Sequence, residues 1–184
     1  MSLRVILPAS HDAITLGQVM QYNRINADPV AVCRLFCKGD VNQMTYAETV
    51  ITAQTIVELM NMGEPVFKPF IEIGETTYGF HPDINGMLVG EFIDMEAFCK
   101  EPTQSAHRFM AIIYRPVKRR IGNKYEIIGY QPDSMDYNPD VFLDVPFSVY
   151  RGALAFFLTL AVGFTNSLDS YSKILNQPTN RPTK

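Results

Sequence analysis

The chain has 184 residues, of which 47% are hydrophobic and 19% are charged, so it can bury a core and does not have the composition of a disordered protein. Its length fits one domain, residues 1–184. The formal net charge of -3 argues against nucleic-acid binding driven by the overall charge of the molecule.

The first helix is predicted from a capping box, in which Thr15 accepts an N–H bond at the helix start and Gln18 reaches back. This pattern predicts a helix from Leu16 to about Ala27. Residues 1–13 precede it and are expected to form an N-terminal arm. Their only apolar run, Val5–Leu7, is too short for the core of a signal peptide, so no secretion signal is expected.

Two more helices are predicted before residue 65. The first runs from Val30 to Lys38 and ends at Gly39, a typical helix-terminating residue. Thr45 and Glu48 then form a second capping box, and the helix behind it ends near Gly63.

Short strands follow, and their pattern indicates β-hairpins. Phe67–Ile73 is expected to pair with Thr76–Phe80 across the Gly74-Glu75 turn. Pro69 cannot donate a ladder hydrogen bond, so its strand is expected at a sheet edge. A second hairpin is expected in residues 117–130, with its bend near Gly122.

Helices are predicted between and after the hairpins. Val89–Phe98 and Pro102–Ile113 separate the two hairpins, and Pro146 opens a long apolar helix. The segment 152–164 is almost entirely apolar, but its 13 residues are fewer than the roughly 18 that a membrane span needs, so we expect a buried helix and no membrane partner. A last helix is expected to end near Leu175, and residues 176–184 are expected to be an extended C-terminal arm. The predicted fold class is therefore α+β, a mostly helical single domain with small antiparallel β-hairpins.

Cysteines and histidines are the first candidates for chemistry. The odd number of three cysteines gives no disulfide framework, which favours a reducing compartment. Cys33 and Cys37 share one helical face, and His81 or His107 would complete a four-ligand zinc set. There is no second zinc knuckle, and apolar neighbours favour buried thiols. We therefore expect no catalytic residue, no cofactor and no metal, with a small metal-binding or enzymatic protein that uses these four residues as an open alternative.

A basic cluster is the candidate binding site. Five cationic residues lie within ten positions without an acidic residue among them: Arg115, Lys118, Arg119, Arg120 and Lys124. A solvated hairpin is one interpretation. The other is contact with an acidic partner surface, or a weak contact with a nucleic-acid backbone through residues 115–124. The cluster has no interleaved aromatic residues for base stacking, so base recognition is not expected.

Five short motifs occur in one order between Thr15 and Phe157. They are Tyr78-Gly79-Phe80-x-Pro82-Asp83, Gly90-Glu91-Phe92-Ile93-Asp94, residues 110–117 (MAIIYRPV), Tyr125-Glu126-Ile127 and residues 152–157 (GALAFF). In this order the chain resembles a group of small tailed-bacteriophage proteins that are encoded among virion structural genes and are described as uncharacterised or as similar to tail-assembly chaperones.

The resemblance implies a role in building a virion and carries no catalytic residues with it. The expected function is that of a non-enzymatic virion structural or assembly protein: a tail, neck or ring component, or a packaged virion protein. Its expected partners are other phage virion proteins and further copies of itself in a homo-oligomer or ring. It would be assembled in the host cytoplasm and located in the virion. A tail-assembly chaperone that is absent from the mature particle is the alternative within the same family.

Overall fold

The computed structural model describes residues 5–62, 64–122, 124–134 and 137–160. Within these ranges the protein is α+β, with helices around one antiparallel sheet. The α-helices are α1 (Leu16–Tyr22), α2 (Pro29–Phe36), α3 (Tyr46–Asn61), α4 (Val89–Lys100), α5 (Pro102–Ile113) and α6 (147–160). The strands are β1 (Phe70–Ile73), β2 (Thr76–Phe80), β3 (Tyr114–Ile121) and β4 (Lys124–Ile127). The predicted fold class is confirmed.

The two hairpins join into a single sheet in the order β1-β2-β3-β4. The junction is the antiparallel pairing of β2 with β3, in which Gly79 lies opposite Arg115. An added Cβ at Gly79 would lie 2.8 Å from Cε2 of Tyr125, so this position must be glycine if the Tyr125 ring is to cross the strand. The Tyr125 hydroxyl donates to the carbonyl oxygen of Phe80 at 2.6 Å. The strand at Pro69 was expected at a sheet edge. Strand β1, which begins directly after Pro69, is an outer strand of this sheet, so that expectation is confirmed.

The helix starts follow the local sequence signals. Both capping boxes are present, at Thr15 with Gln18 and at Thr45 with Glu48. Gln18 also donates from its Nε2 to the carbonyl oxygen of Leu35 at 3.0 Å, so the capping residue connects α1 to α2.

Helix α1 is shorter than the predicted range, since it ends at Tyr22. The residues that follow form turns, and both Asn26 and Ala27 have positive φ angles, of 45° and 55°. A left-handed backbone at these positions is incompatible with a continuing right-handed helix. The chain instead reverses, and Asp28 caps the start of α2 by accepting from the N–H of Ala31.

The interior consists of two clusters of buried apolar side chains. The larger one includes Phe80, Phe109 and Tyr114 and lies between the sheet, α4, α5 and α6. The smaller one lies among α1, α2 and α3. Phe147, at the start of α6, packs against both clusters and links them.

The expected N-terminal arm is attached to the domain along its described part, residues 5–13. Ile6 and Lys38 exchange two backbone hydrogen bonds, of 2.8 and 2.9 Å, and residues 11–13 form a 3₁₀ turn. The Ser148 hydroxyl also donates to Asp12. These bonds pair residues 5–13 with the domain and fix this part of the chain in place. The C-terminal arm (176–184) and the helix expected to end near Leu175 lie outside the described residues.

None of the helices in the described ranges combines the length and the hydropathy that crossing a bilayer would require.

Candidate functional site

Three charged or titratable side chains meet inside the protein where α4 packs on the sheet. They are Glu91 in the first turn of α4, Arg115 near the start of β3 and His81 directly after β2, and they are 3%, 7% and 9% exposed. Arg115 Nη1 donates to Glu91 Oε1 at 2.7 Å, and the backbone N–H of Leu88 donates to Glu91 Oε2 at 2.9 Å. Glu91 therefore accepts from the sheet and from its own helix start. We call Glu91, Arg115 and His81 the buried charged cluster.

His81 completes the cluster as a neutral side chain. Its Nδ1 accepts from the Asp83 N–H at 3.3 Å, which places the ring proton on Nε2, 3.7 Å from Glu91 Oε2. Burial lowers the pKa of His81, and the charge of Arg115 lowers it further, whereas Glu91 and Asp83 act in the opposite direction. The cluster therefore contains one cation, one anion and one neutral imidazole, which is the arrangement that buried charges require.

Two tyrosines extend this polar region along α4. The Tyr130 hydroxyl donates to Asp94 Oδ2 at 2.6 Å, and the Tyr130 and Tyr137 rings meet edge to face with centroids 6.0 Å apart. Burial raises the pKa of Tyr130, and so does the bond to Asp94, so the phenol stays protonated as a donor. Asp94 lies one helical turn after Glu91, so two carboxylates hold the same side of α4 against the domain.

A cavity of about 120 Å³ lies beside the cluster, and its walls include Arg115, Tyr130 and Tyr137. Arg115 Nε has no hydrogen-bond partner among the described residues. An ordered water or a small acceptor group in the cavity would meet a donor there.

His81 also borders an open cleft of about 400 Å³. The cleft walls are mostly apolar, among them Phe67, Phe80 and Phe156. The described lining residues include no serine, threonine, cysteine or lysine, and their nucleophile types besides His81 are the Asp83 carboxylate and the Tyr125 hydroxyl, which donates to Phe80. With its Nδ1 engaged and its Nε2 facing a carboxylate that Arg115 also binds, His81 is placed to orient side chains. The geometry of the cluster therefore supports holding α4 against the sheet.

The outer side of α4 is apolar as well. Its first two turns expose Leu88 (63%), Val89 (76%), Phe92 (53%) and Ile93 (57%), whereas Glu91 and Met95 point inward. A surface helix normally has polar residues on its outer side. We call these four side chains the α4 apolar face. A contiguous exposed apolar patch of this kind is typical of a protein–protein contact site.

The basic cluster is divided by the fold. Lys118, Arg119, Arg120 and Lys124 are exposed on β3 and β4, as a partner contact requires. Arg115 is not exposed, and this corrects its assignment to the partner-binding set. It lies in an inner strand beside α4 and is paired with Glu91, so its charge is neutralised inside the protein. The sequence did contain a signal for this burial, since Arg115 directly follows the five apolar residues 110–114 and is separated from the next cation, Lys118, by two uncharged residues.

The four exposed cations differ in their surroundings. The Arg120 guanidinium carbon lies 4.3 Å from the centre of the Phe70 ring, a cation–π contact, and Arg119 is paired across the ladder with Glu126. The ladder shifts register between Val117 and Arg119, so Lys118 has no cross-strand partner in that pairing. Lys118 and Lys124 are therefore the cations best placed for an external acidic surface.

The thiols and the remaining histidine belong to other parts of the fold. Cys33 is fully buried in the smaller apolar cluster and donates to the carbonyl oxygen of Thr49 at 3.5 Å. Burial raises the pKa of Cys33, and burial together with Cys33 raises the pKa of Cys37 to about 11, which opposes thiolate chemistry. His107 lies on α5, and its Nε2 is 3.7 Å from Oδ1 of Asp140 in the 3₁₀ helix Pro139–Asp144. In the part of the chain that the structure describes, no group of three or more His, Cys, Asp or Glu side chains could hold a metal ion.

Comparison of the chain with protein-family models, with curated proteins and with solved structures gave no match.

Proposed function

We propose that this chain is a virion structural or assembly protein of a tailed bacteriophage and that it works through protein–protein contacts, without catalysis. The observation that carries the proposal is the α4 apolar face, in which four large side chains are exposed on two consecutive helical turns. Leaving them in water is unfavourable, and burying them against another protein reverses that cost.

The family resemblance agrees with this assignment at one motif in particular. Gly90-Glu91-Phe92-Ile93-Asp94 contributes the inward carboxylates Glu91 and Asp94 and the outward side chains Phe92 and Ile93. A motif with both sets of residues fixes the helix to the domain and presents an apolar surface. This combination suits a component that is joined to neighbours in a particle.

The proposed location is the virion, as a tail, neck or ring component or as a packaged protein, after assembly in the host cytoplasm. Its partners would be other virion proteins and further copies of itself. The exposed cations Lys118, Arg119, Arg120 and Lys124 would face an acidic surface on such a partner, with a weak nucleic-acid backbone contact as the alternative.

Mass spectrometry of purified particles tests the assignment. A fixed number of copies per particle is expected. If the protein is absent from particles but needed to make them, it is the assembly chaperone of the alternative interpretation. If it is absent and particles form normally without it, the proposal is wrong.

A pair of charge-reversal variants tests the contribution of the exposed cations. Lys118→Glu/Lys124→Glu should reduce incorporation into particles because it opposes an acidic partner. Lys38→Glu/Lys68→Glu is the matched control, since it reverses two exposed lysines elsewhere on the domain. Equal incorporation of the two variants would remove Lys118 and Lys124 from the contact surface.

A further inference from the structure

The two ends of α4 have different electrostatic character. At its start, the helix has Leu88 at the N-cap position, and no side chain there accepts a hydrogen bond from the first-turn amides. The carboxylate of the first turn, Glu91, accepts from the N–H of Leu88, but it is buried and paired with Arg115. The outer side of the helix start, where the dipole is positive, therefore has no carboxylate of its own. Further along the outer side, Glu96 and Lys100 are exposed and form an ion pair of 3.0 Å. The α4 apolar face lies between the outer side of the helix start and Glu96.

We propose that the α4 apolar face binds the same face of a second copy of this chain, with the two helices antiparallel and a two-fold axis near Phe92 and Ile93. The inference rests on the proposed function in requiring protein–protein contact, and it goes further by naming the partner and the orientation.

Charge complementarity selects the antiparallel orientation. With the axis between Phe92 and Ile93, Val89 of one copy lies opposite Glu96 of the other. Glu96 then approaches the outer side of the positive start of the partner helix, which is a position where a carboxylate is favourable. A two-fold axis makes the same contact twice. Parallel helices would instead place Glu96 beside Glu96, which is repulsive.

The shape of the outer side allows close approach. An added Cβ at Gly90 would meet nothing within 4 Å, so the surface there is open. In the antiparallel pair Leu88 lies opposite Ala97, an exposed small residue. Small residues beside large ones let two helices pack at about 8–10 Å between axes.

The surface is also formed before any partner arrives. Glu91 is bonded to Arg115, Asp94 accepts from Tyr130, and Met95 is 2% exposed in the larger apolar cluster. With its inner side held at three positions, α4 keeps its outer side in one orientation, which lowers the entropic cost of pairing.

The oligomeric state in solution tests the proposal. Sedimentation of the full chain, whose mass is 20.8 kDa, should show a dimer. The Phe92→Ser/Ile93→Ser variant should sediment as a monomer with an unchanged circular dichroism spectrum. The matched control, Ile51→Ser/Ile121→Ser, changes two exposed isoleucines elsewhere and should remain dimeric. A monomeric wild-type chain, or a Phe92→Ser/Ile93→Ser variant that is as dimeric as the wild type, overturns the proposal.

A cysteine pair tests the orientation. Positions 89 and 96 of one helix are about 10 Å apart along its axis, too far for a disulfide within the chain. In a Cys99→Ser background, Val89→Cys/Glu96→Cys should form a covalent dimer on mild oxidation, and neither single variant should do so. A double variant that stays uncrosslinked while it sediments as a dimer contradicts the antiparallel register.

The outcomes separate this inference from the proposed function. A monomer that is still incorporated into particles contradicts only the self-pairing. A dimer that is absent from particles, when particles form normally without it, contradicts only the virion role.

Discussion

Arg115 is a charged residue that is buried in the folded protein. Its partner Glu91 comes from a helix 24 positions earlier in the chain, and the two atoms that meet are 2.7 Å apart. A buried pair of this kind adds little stability compared with well-packed apolar residues, but the loss of one partner leaves a charge without compensation. Its effect here is to decide which side of α4 faces inward.

Replacing the carboxylate measures that effect. Glu91→Gln keeps the size of the side chain and an oxygen that can accept from Leu88 N–H, but it leaves the Arg115 charge unpaired. We expect the free energy of unfolding to fall by about 3–5 kcal/mol, as for other broken buried pairs. Urea denaturation at pH 7 measures it.

Glu96→Gln is the control, because Glu96 and Lys100 form an exposed ion pair in the same helix. Both variants are compared at a protein concentration low enough for the chain to be monomeric, so that the proposed helix pairing does not contribute. Its free energy of unfolding should change by less than about 0.5 kcal/mol. If the two variants lose the same stability, the Arg115–Glu91 pair does not hold α4. The Glu91→Leu/Arg115→Met double variant should recover much of the loss, since it removes both charges.

Buried His81 and partly buried His107 predict how stability depends on pH. Burial lowers the pKa of His81, and Arg115 lowers it further against the opposing effect of Glu91 and Asp83. Burial also lowers the pKa of His107, where Asp140 acts in the opposite direction and Arg108 and Arg24 add to the lowering. Each therefore binds a proton less readily in the folded protein than in the unfolded chain, where the pKa is about 6.5. As the pH falls below about 6.5, the unfolded chain gains protons first, and the free energy of unfolding decreases.

We expect unfolding to require less urea at pH 5.5 than at pH 7.5. The His81→Gln/His107→Gln variant should show a smaller difference between the two pH values, because it lacks both titrating groups. Urea midpoints at pH 7.5, 6.5 and 5.5 measure the difference. A double variant with the wild-type pH dependence would show that other groups cause it.

At the scale of elements, helix α6 approaches the chain before β1 unusually closely. An added Cβ at Gly152 would lie 2.2 Å from the carbonyl oxygen of Val66 and 2.9 Å from the nitrogen of Phe67. Both are backbone atoms, which cannot move aside as a side chain could. Phe67 in turn stacks on Phe156, one helical turn after Gly152, at a centroid distance of 3.9 Å. Glycine is therefore required where this helix crosses the segment.

Gly152→Ala should lower the free energy of unfolding by about 1–3 kcal/mol through overpacking. A decrease in the free energy of unfolding would identify the close contact as its cause, because alanine is favoured over glycine by roughly 1 kcal/mol in a helix without such a contact. Gly90→Ala is the matched control, since nothing lies within 4 Å of its added Cβ in α4. Chemical denaturation of both variants at one low protein concentration compares them. A Gly152→Ala variant as stable as the wild type would mean that α6 can move away from residues 66–67.

At the scale of the whole molecule, a short segment joins the two apolar clusters. The N–H of Leu16 donates to Val145 at 2.9 Å, and the N–H of Phe147 donates to Ile14 at 2.9 Å, so residues 14–16 and 145–147 form a small antiparallel connection. Phe147 adds the side-chain contact with both clusters. Helix α1 also contributes to both clusters, with Leu16 and Met20 in the larger one and Val19 in the smaller one. We expect cooperative unfolding of the domain to depend on these connections.

Phe147→Ala should reduce that cooperativity as well as stability. We expect the wild type to unfold in one transition, and we expect α1–α3 of the variant to exchange their amide hydrogens before the sheet does. Hydrogen exchange followed by mass spectrometry resolves the two regions. Phe142→Ala is a suitable control, because Phe142 is buried in the larger cluster alone and should weaken the domain without separating its parts. Uniform exchange in the Phe147→Ala variant would mean that the backbone bonds and α1 couple the two clusters without Phe147.

Local signals were enough to predict most elements. The capping boxes at Thr15 and Thr45 and the turn at Gly74 each depend on residues within about four positions, so the sequence alone contains their physical cause. The same is true of the fold class, because the periodicity of apolar residues reports the kind of element directly.

The tertiary structure alone decided what those elements expose and bury. The pairing of β2 with β3 merges two hairpins that the helices α4 and α5 separate in sequence, and that pairing places Arg115 beside Glu91. Arg115 is therefore buried, apart from the exposed cations of the basic cluster, and Phe92 and Ile93 of α4 are exposed. Local patterns cannot specify this, because the exposure of a side chain depends on which distant segment packs against it. The sequence therefore shows which residues of α4 are apolar, whereas only the packing of the domain determines which of them are exposed to a partner.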